Sequence, residues 1–214
     1  MLELFGHPFS SYTWKALIAL YETGAPFEFR NIAGNENPEN EAAFLAHWPV
    51  GKFPLLVDDG EPIMESSVIV EHVAPGLIPA ERAAAREARM LDRLFDNHVM
   101  TPTQSIVAEH LPFITPTPDE GRIARARAAL DKVYPWLDAW LTGRDWAAGG
   151  EFTLADCAGA PSLFYADWVH PIPEQFGTLK AYRKRVLGRP SVARAVEEAR
   201  PYRHLFPLGA PDRD

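Results

Sequence analysis

Along the first 75 residues the apolar positions keep changing period. Leu2–Phe5 is a short apolar run that fits a strand. From Ser10 to Glu22 the residues Trp14, Leu17, Ile18 and Tyr21 recur at three- and four-residue spacing, which predicts a helix with one buried face; Gly24 supplies its stop. Phe27–Ile32 reads as a second strand and Asn40–His47 as a short helix. Leu55–Val57 and Pro62–Met64 read as a hairpin across the Asp58-Asp59-Gly60 turn, and Ser66–Val73 as a third helix. The order β-α-β-α-β-β-α predicts a small mixed sheet with helices on its faces, its first connection a right-handed crossover.

After Pro75-Gly76 the helical period takes over. A stretch from about Glu81 to Leu111 is expected to be one long helix, bent or interrupted at Pro102. Thr115–Asp119 reads as a loop. Gly121–Leu141 reads as a second long helix with Ala124, Ala128, Leu130, Val133, Leu137 and Leu141 mostly on one side. Thr153-Leu154-Ala155-Asp156 is a capping signal that opens a third helix, and two more are expected over Phe176–Leu187 and Ser191–Ala199. The expected organisation is therefore an α/β domain over residues 1–75, a linker over 76–84 and an all-α domain over 85–214.

Charge sharpens that division. The 214 residues carry 21 Lys and Arg against 29 Asp and Glu, a net charge of −8, which argues against non-specific nucleic-acid binding. Residues 1–75 hold 3 basic and 11 acidic side chains, so the whole imbalance lies in the first domain. Within the balanced second part, Arg82, Arg86, Arg89 and Arg93 are spaced to line one helix face. A single cysteine, Cys157, excludes an internal disulfide and a Cys-x-x-Cys redox pair, and makes a reducing compartment the default. The seven histidines never fall at metal-ligand spacing. The N-terminus has no signal-peptide pattern and no stretch reaches membrane-spanning length, so the expectation is a cytoplasmic protein.

Three places carry candidate chemistry. Ser10 and Ser11 sit where the first strand hands over to the first helix. A serine there is an ordinary N-cap, and the same geometry places a hydroxyl to donate to an anion at the helix's electropositive end. Phe53-Pro54 begins an apolar strand with a residue that cannot join a ladder, so Pro54 belongs at a strand start, an edge or a turn that exposes backbone. Glu65-Ser66-Ser67 opens a helix with an acid and two hydroxyls: ordinary caps, or a carboxylate for a ligand ammonium beside a hydroxyl and amide for a ligand carboxylate. Lys52, one of three basic residues in the acidic domain, would matter for an anionic ligand. Cys157 and the aromatics Phe95, Phe164, Tyr165 and Trp168 are expected in the core, though some of the aromatics could line an apolar pocket.

These motifs carry a resemblance. The chain resembles the cytosolic glutathione S-transferase superfamily over nearly its full length, through Ser10-Ser11-Tyr12-Thr13-Trp14-Lys15-Ala16-Leu17-Ile18-Ala19-Leu20, through Gly51-Lys52-Phe53-Pro54-Leu55-Leu56 with Glu65-Ser66-Ser67, and through Phe152-Thr153-Leu154-Ala155-Asp156. The resemblance implies a thioredoxin-like N-terminal domain that holds glutathione as co-substrate, with no metal, and an all-α C-terminal domain that supplies the acceptor pocket. It implies that Pro54 is cis, that Phe53 offers its backbone to the cysteinyl part, with Lys52 beside it, and that Glu65 and Ser66 bind the γ-glutamyl end. In the serine-type classes the thiol-activating position matches Ser10, with Ser11 second. The first segment is most similar to the zeta class, whose members isomerise maleylacetoacetate, although Tyr12 stands where that class has cysteine. The expected activity is glutathione transfer to a small hydrophobic electrophile, as in detoxification. The alternatives are a glutathione-dependent isomerase and a non-catalytic binding protein of the same fold. The acceptor pocket is expected between Phe9, Tyr12 and the helix face near Phe95, His98 and Met100. A homodimer is expected, with the arginine stripe set against the acidic domain of the second subunit.

Overall fold

A computed structural model describes residues 1–33 and 37–214. The chain runs β1 (Leu2–Gly6), α1 (Ser11–Thr23), β2 (Phe27–Asn31), α2 (Pro38–His47), β3 (Leu55–Asp58), β4 (Glu61–Met64) and α3 (Ser66–Val73). The sheet has the order β2-β1-β3-β4. β1 pairs parallel with β2, Leu4 opposite Phe29, and antiparallel with β3, Leu4 opposite Leu56. That is a thioredoxin-like α/β domain. Its α1 is cut sharply: Ser10 caps the start and Gly24, at φ 66°, closes the end with its N–H on Leu20 O. Leu4, Ala16, Leu17, Leu20, Leu56 and Ile69 bury one face of the sheet under α1 and α3. Phe5, Phe44, Leu55 and Val57 bury the other under α2.

A 3₁₀ turn at Pro75–Leu77 leads to an all-helical domain. Its helices are α4 (Arg82–Leu94), α5 (Thr101–Glu109), α6 (Glu120–Leu141), α7 (Leu154–Val169), α8 (Gly177–Leu187) and α9 (Pro190–Ala199), followed by a 3₁₀ segment, Arg200–Leu205. α7 is the centre: 15 of its 16 residues are buried, which is what a helix apolar on every side requires. The Thr153–Asp156 capping box forms as expected. Cys157 is wholly buried, as expected of a core position.

Two expectations need correction. The helical stretch expected to be bent or interrupted at Pro102 is interrupted, but a turn earlier than the proline itself, by a π-helical segment spanning Phe95–Met100. Pro102 then falls in the first turn of α5, a position where its missing N–H removes no essential bond. In α6 the buried stripe is Ile123, Ala126, Leu130, Val133, Tyr134, Leu137 and Leu141, while Ala124 and Ala128 are exposed. Alanine is small enough for either face, so its spacing misplaced the phase of the first turns. Among the described residues, no helix is long and apolar enough to cross a membrane.

Candidate functional site

The loop from β1 to α1 is pinned by both domains. Ser10 N donates to His7 O at 2.9 Å and Phe9 N to His7 Nδ1 at 3.0 Å. Trp14 Nε1 donates to Pro8 O at 2.7 Å, and the Tyr165 hydroxyl of α7 donates to Phe9 O at 2.9 Å. Gly6 is required by the close approach that follows: a Cβ there would come within 2.6 Å of the Thr13 side chain. Ser10 itself is extended (φ −92°, ψ 128°), and its Oγ accepts from Thr13 N at 3.3 Å. A hydroxyl that accepts in its cap bond keeps its own proton for donation. No acidic side chain occupies the first turn of α1, so the helix's own residues leave its positive end free. Ser11, the first helical residue, is buried.

Beside this loop, the Phe53–Pro54 peptide bond is cis. The β1–β3 ladder ends at Phe5–Leu55, and among the described residues the backbone of Phe53 makes no backbone hydrogen bond. Pro54 is buried, whereas Lys52 and Phe53 are exposed. The Phe53 ring stacks on His7 (6.3 Å between centroids), and Tyr202 of the C-terminal segment also meets His7, edge-on at 5.9 Å. Burial pushes the His7 pKa down. With Nδ1 accepting from Phe9, the neutral ring carries its proton on Nε2.

Across from Pro54, Glu65 holds φ 69° and ψ 114°, a left-handed backbone seldom adopted by a side-chain-bearing residue and one that clusters at ligand-gripping positions. Its exposed carboxylate makes no cap bond to α3. The first N–H groups of α3, at Ser66 and Ser67, therefore start the helix without a side-chain cap. Ser66 is buried at 7% exposure.

Behind these serines lies a cluster that the linear pattern concealed. Lys15 is wholly buried, and its Nζ donates to Ser67 Oγ and Asp96 Oδ2, each at 2.8 Å, and pairs with Asp92. Ser67 Oγ donates to Asp92 Oδ2 at 2.9 Å. Arg93 closes the cluster, with Nη2 at 2.7 Å from Asp92 Oδ2 and 2.6 Å from Asp96 Oδ2. Burial pushes the Asp96 carboxyl up, and the Lys15 charge counters that. Two cations and two carboxylates thus bind α1, α3 and α4 together directly behind Ser66. Lys15 was hidden because it reads as one polar residue on an apolar helix, and Arg93 because it reads as the last of a surface stripe. The acids at Asp92 and Asp96, one before and three after Arg93, were the available signal.

The expected acceptor residues divide. Phe9 and Tyr12 are partly buried at the junction of the domains, Phe9 edge-on to Tyr165 at 5.4 Å and 6.4 Å from Phe206. Burial first, then the charges of Asp96, Glu65 and Asp92 against that of Arg93, push the Tyr12 phenol up to about 12. It stays protonated and can only donate or accept hydrogen bonds near neutrality. His98 is exposed. Phe95 and Met100 are corrections: both are buried in the main core, and Phe95 stacks on Tyr182 at 6.4 Å. The π-helical turn places them under α7, with no face left for a ligand. Among the described residues no group of three or more His, Cys, Asp or Glu could hold a metal ion.

Residues 1–75 match the family described as "Glutathione S-transferase, N-terminal domain", and residues 96–190 match "Glutathione S-transferase, C-terminal domain". "Glutathione S-transferase 3" of Zea mays is 29% identical over 208 residues, covering 91% of this chain and 93% of the relative. "FtsZ-localized protein A" of Caulobacter vibrioides is 30% identical over 187 residues, covering 81% of each. The crystal structure of a glutathione S-transferase from Rhodospirillum rubrum superposes with a TM-score of 0.74 at 29% identity, covering 91% of each chain.

Proposed function

We propose that this chain, which belongs to the glutathione S-transferase superfamily, is a serine-type glutathione transferase that ionises the thiol of glutathione and directs the thiolate at a small hydrophobic electrophile. The observation that carries this reading is Ser10: a cap hydroxyl whose proton remains free to donate, at the positive end of α1, whose first turn holds no acid. A free cysteine thiol has a pKa of about 8.5, and a hydroxyl donor together with a helix N-terminus lowers such values by favouring the thiolate. In this reading Ser11 is the second hydroxyl. The backbone of Phe53 before Pro54 takes the cysteinyl part, Lys52 stands at the glycyl end, and Glu65 with Ser66 takes the γ-glutamyl end. The acceptor lies against Phe9 and Tyr12, with His98 at the margin. Attack forms the carbon–sulfur bond while the leaving group departs or the electron pair moves into the acceptor's π system.

The reading includes a homodimer and a cytoplasmic, detoxifying role, and it takes residues 76–84 as the link between the domains. The test is Ser10→Ala assayed across a panel of electrophiles. Turnover should fall at least about tenfold, a loss of about 1.4 kcal/mol in transition-state stabilisation, with glutathione affinity nearly unchanged. Unchanged turnover reduces Ser10 to a cap.

A second reading is a binding protein that keeps the fold and has lost transfer. The cap bond on Ser10 favours it, because that bond alone would account for a serine here. Glutathione binding without thiol ionisation would select it. Product analysis separates transfer from glutathione-dependent isomerisation of the zeta type.

A further inference from the structure

We propose that Arg93, carried on α4, is a glutathione-binding residue that takes the α-carboxylate of the γ-glutamyl end. This rests on the glutathione-transferase reading and assigns to that end a cation that no sequence motif supplies.

The argument starts from charge. Glutathione at neutral pH carries two carboxylates and one ammonium, and the domain that would hold it is acidic, with three cations in residues 1–75. Lys15 is buried among Asp92, Asp96 and Ser67. Arg30 lies against Glu3 at 2.6 Å and Glu28 at 3.0 Å. Lys52 adjoins Phe53, so it serves one end of an extended tripeptide. The other end lies at Glu65 and Ser66, where the domain contributes a further negative charge and where its one nearby cation, Lys15, is shut behind Ser67.

Arg93 reaches that place from the helical domain. Its Nη2 contacts Oγ of Ser67, the residue after Ser66. Its Nε and Nη2 donate to Asp92 Oδ2 at 2.9 and 2.7 Å, and Nη2 also lies 2.6 Å from Asp96 Oδ2. Those bonds use one edge of the guanidinium. Among the described residues, no side chain accepts from Nη1. The Arg93 side chain is 49% exposed, while that of Asp92 behind it is 2% exposed. The group is held from within and open outward. Lys15 and Arg93 together offset Asp92 and Asp96, so the cluster behind the open edge is neutral. An arginine fixed in this way has its geometry set before the ligand arrives, and its remaining N–H donors match a carboxylate oxygen. The uncapped N–H groups at the start of α3 suit the second oxygen.

The experiment is a calorimetric titration of wild type, Arg93→Gln and Arg93→Lys with two ligands: glutathione, and 4-aminobutanoyl-cysteinyl-glycine, which lacks only the α-carboxylate. Arg93→Gln should weaken glutathione about tenfold or more, the scale of a hydrogen bond to a charged group, and Arg93→Lys should weaken it less. All three proteins should bind the analogue equally weakly. Equal glutathione affinity in wild type and Arg93→Gln overturns the proposal, as does an equal loss for both ligands. If Arg93→Gln does not fold, Arg93→Lys carries the same two-ligand comparison. A wild type that binds neither ligand overturns the glutathione reading itself, a result distinct from a variant that matches a binding wild type.

Discussion

Nζ of Lys15 lies 2.8 Å from Oδ2 of Asp96, although 81 positions separate the two in sequence and both side chains are shut away from water. Removing one partner of such a pair leaves an uncompensated buried charge, which costs about 3–5 kcal/mol. Lys15→Met should therefore lower stability by that amount in denaturant unfolding. Lys15→Met combined with Asp96→Asn should recover part of the loss, because it removes one of the stranded charges. If the double variant is as unstable as the sum of the two single variants, the pair is not coupled as described.

Asp156 is the second buried anchor. Oδ1 accepts from Ala147 N at 2.9 Å and from the Tyr182 hydroxyl at 2.7 Å, and Oδ2 from Thr153 N at 2.8 Å. The Thr153 hydroxyl also donates to Oδ2, at 3.2 Å, so Asp156→Ala strands four donors at once, and each unsatisfied buried group costs about 1–3 kcal/mol. The variant should lose about 3 kcal/mol or more, or fail to accumulate as folded protein. Asn, which keeps one oxygen acceptor, should lose less. Thermal melts rank the two.

Much of this was legible in the chain. The alternation of strand and helix periods showed the order of elements along the sheet domain, because each period is set by residues close in sequence; the pairing of β1 with β3, Leu4 opposite Leu56, is made by the fold. The N-cap at Ser10, the stop at Gly24 and the capping box at Thr153 and Asp156 were readable because caps are local chemistry. The hidden part is what folding assembles from a distance. Lys15 is indistinguishable from a solvated lysine until α4 brings Asp92 and Asp96 onto it. Pro102 signalled an interruption but not the π-helical turn at Phe95–Met100 that re-phases the helix faces ahead of it, so Phe95 and Met100 were expected on an open face that does not exist. The C-terminal segment that sets Tyr202 against His7 and Phe206 against Phe9 carries no motif, and its place follows only from the finished fold.

The junction between α1 and α9 should make stability depend on acid. Arg189 binds Glu22 through two hydrogen bonds of 2.7 and 2.6 Å, and Ser191 adds a third. Burial pushes the Glu22 carboxyl up, but those bonds outweigh it and hold the pKa below its ordinary value of 4.5. A carboxylate with a depressed folded pKa contributes stability that is complete above the ordinary value and is lost as pH falls through the folded value. Wild type should therefore lose stability below about pH 4.5 more steeply than Glu22→Gln. At neutral pH Glu22→Gln should be weaker by about 1–2 kcal/mol. Parallel pH profiles would remove Glu22 from the account.

The arginine stripe on α4 serves two ends. Arg89 is already bound to Glu71 of its own chain, at 2.8 and 2.7 Å, and Arg93 belongs to the buried cluster. That leaves Arg82 and Arg86, which line a groove with Ala85, Arg89 and the exposed Met90. If this face meets the acidic domain of a second subunit, Arg86→Glu with Met90→Glu should shift sedimentation from dimer toward monomer. An unchanged profile places the interface elsewhere.

The central claim is that Ser10 and the start of α1 ionise the thiol of bound glutathione. The direct measurement is the ultraviolet difference absorbance of thiolate as glutathione is titrated into wild type and into Ser10→Ala at a pH about one unit below the free thiol value of about 8.5. The account predicts a saturable thiolate signal in wild type and, in Ser10→Ala, its loss at retained glutathione affinity. An equal signal in the two proteins, or saturable binding by wild type with no thiolate signal, would contradict it.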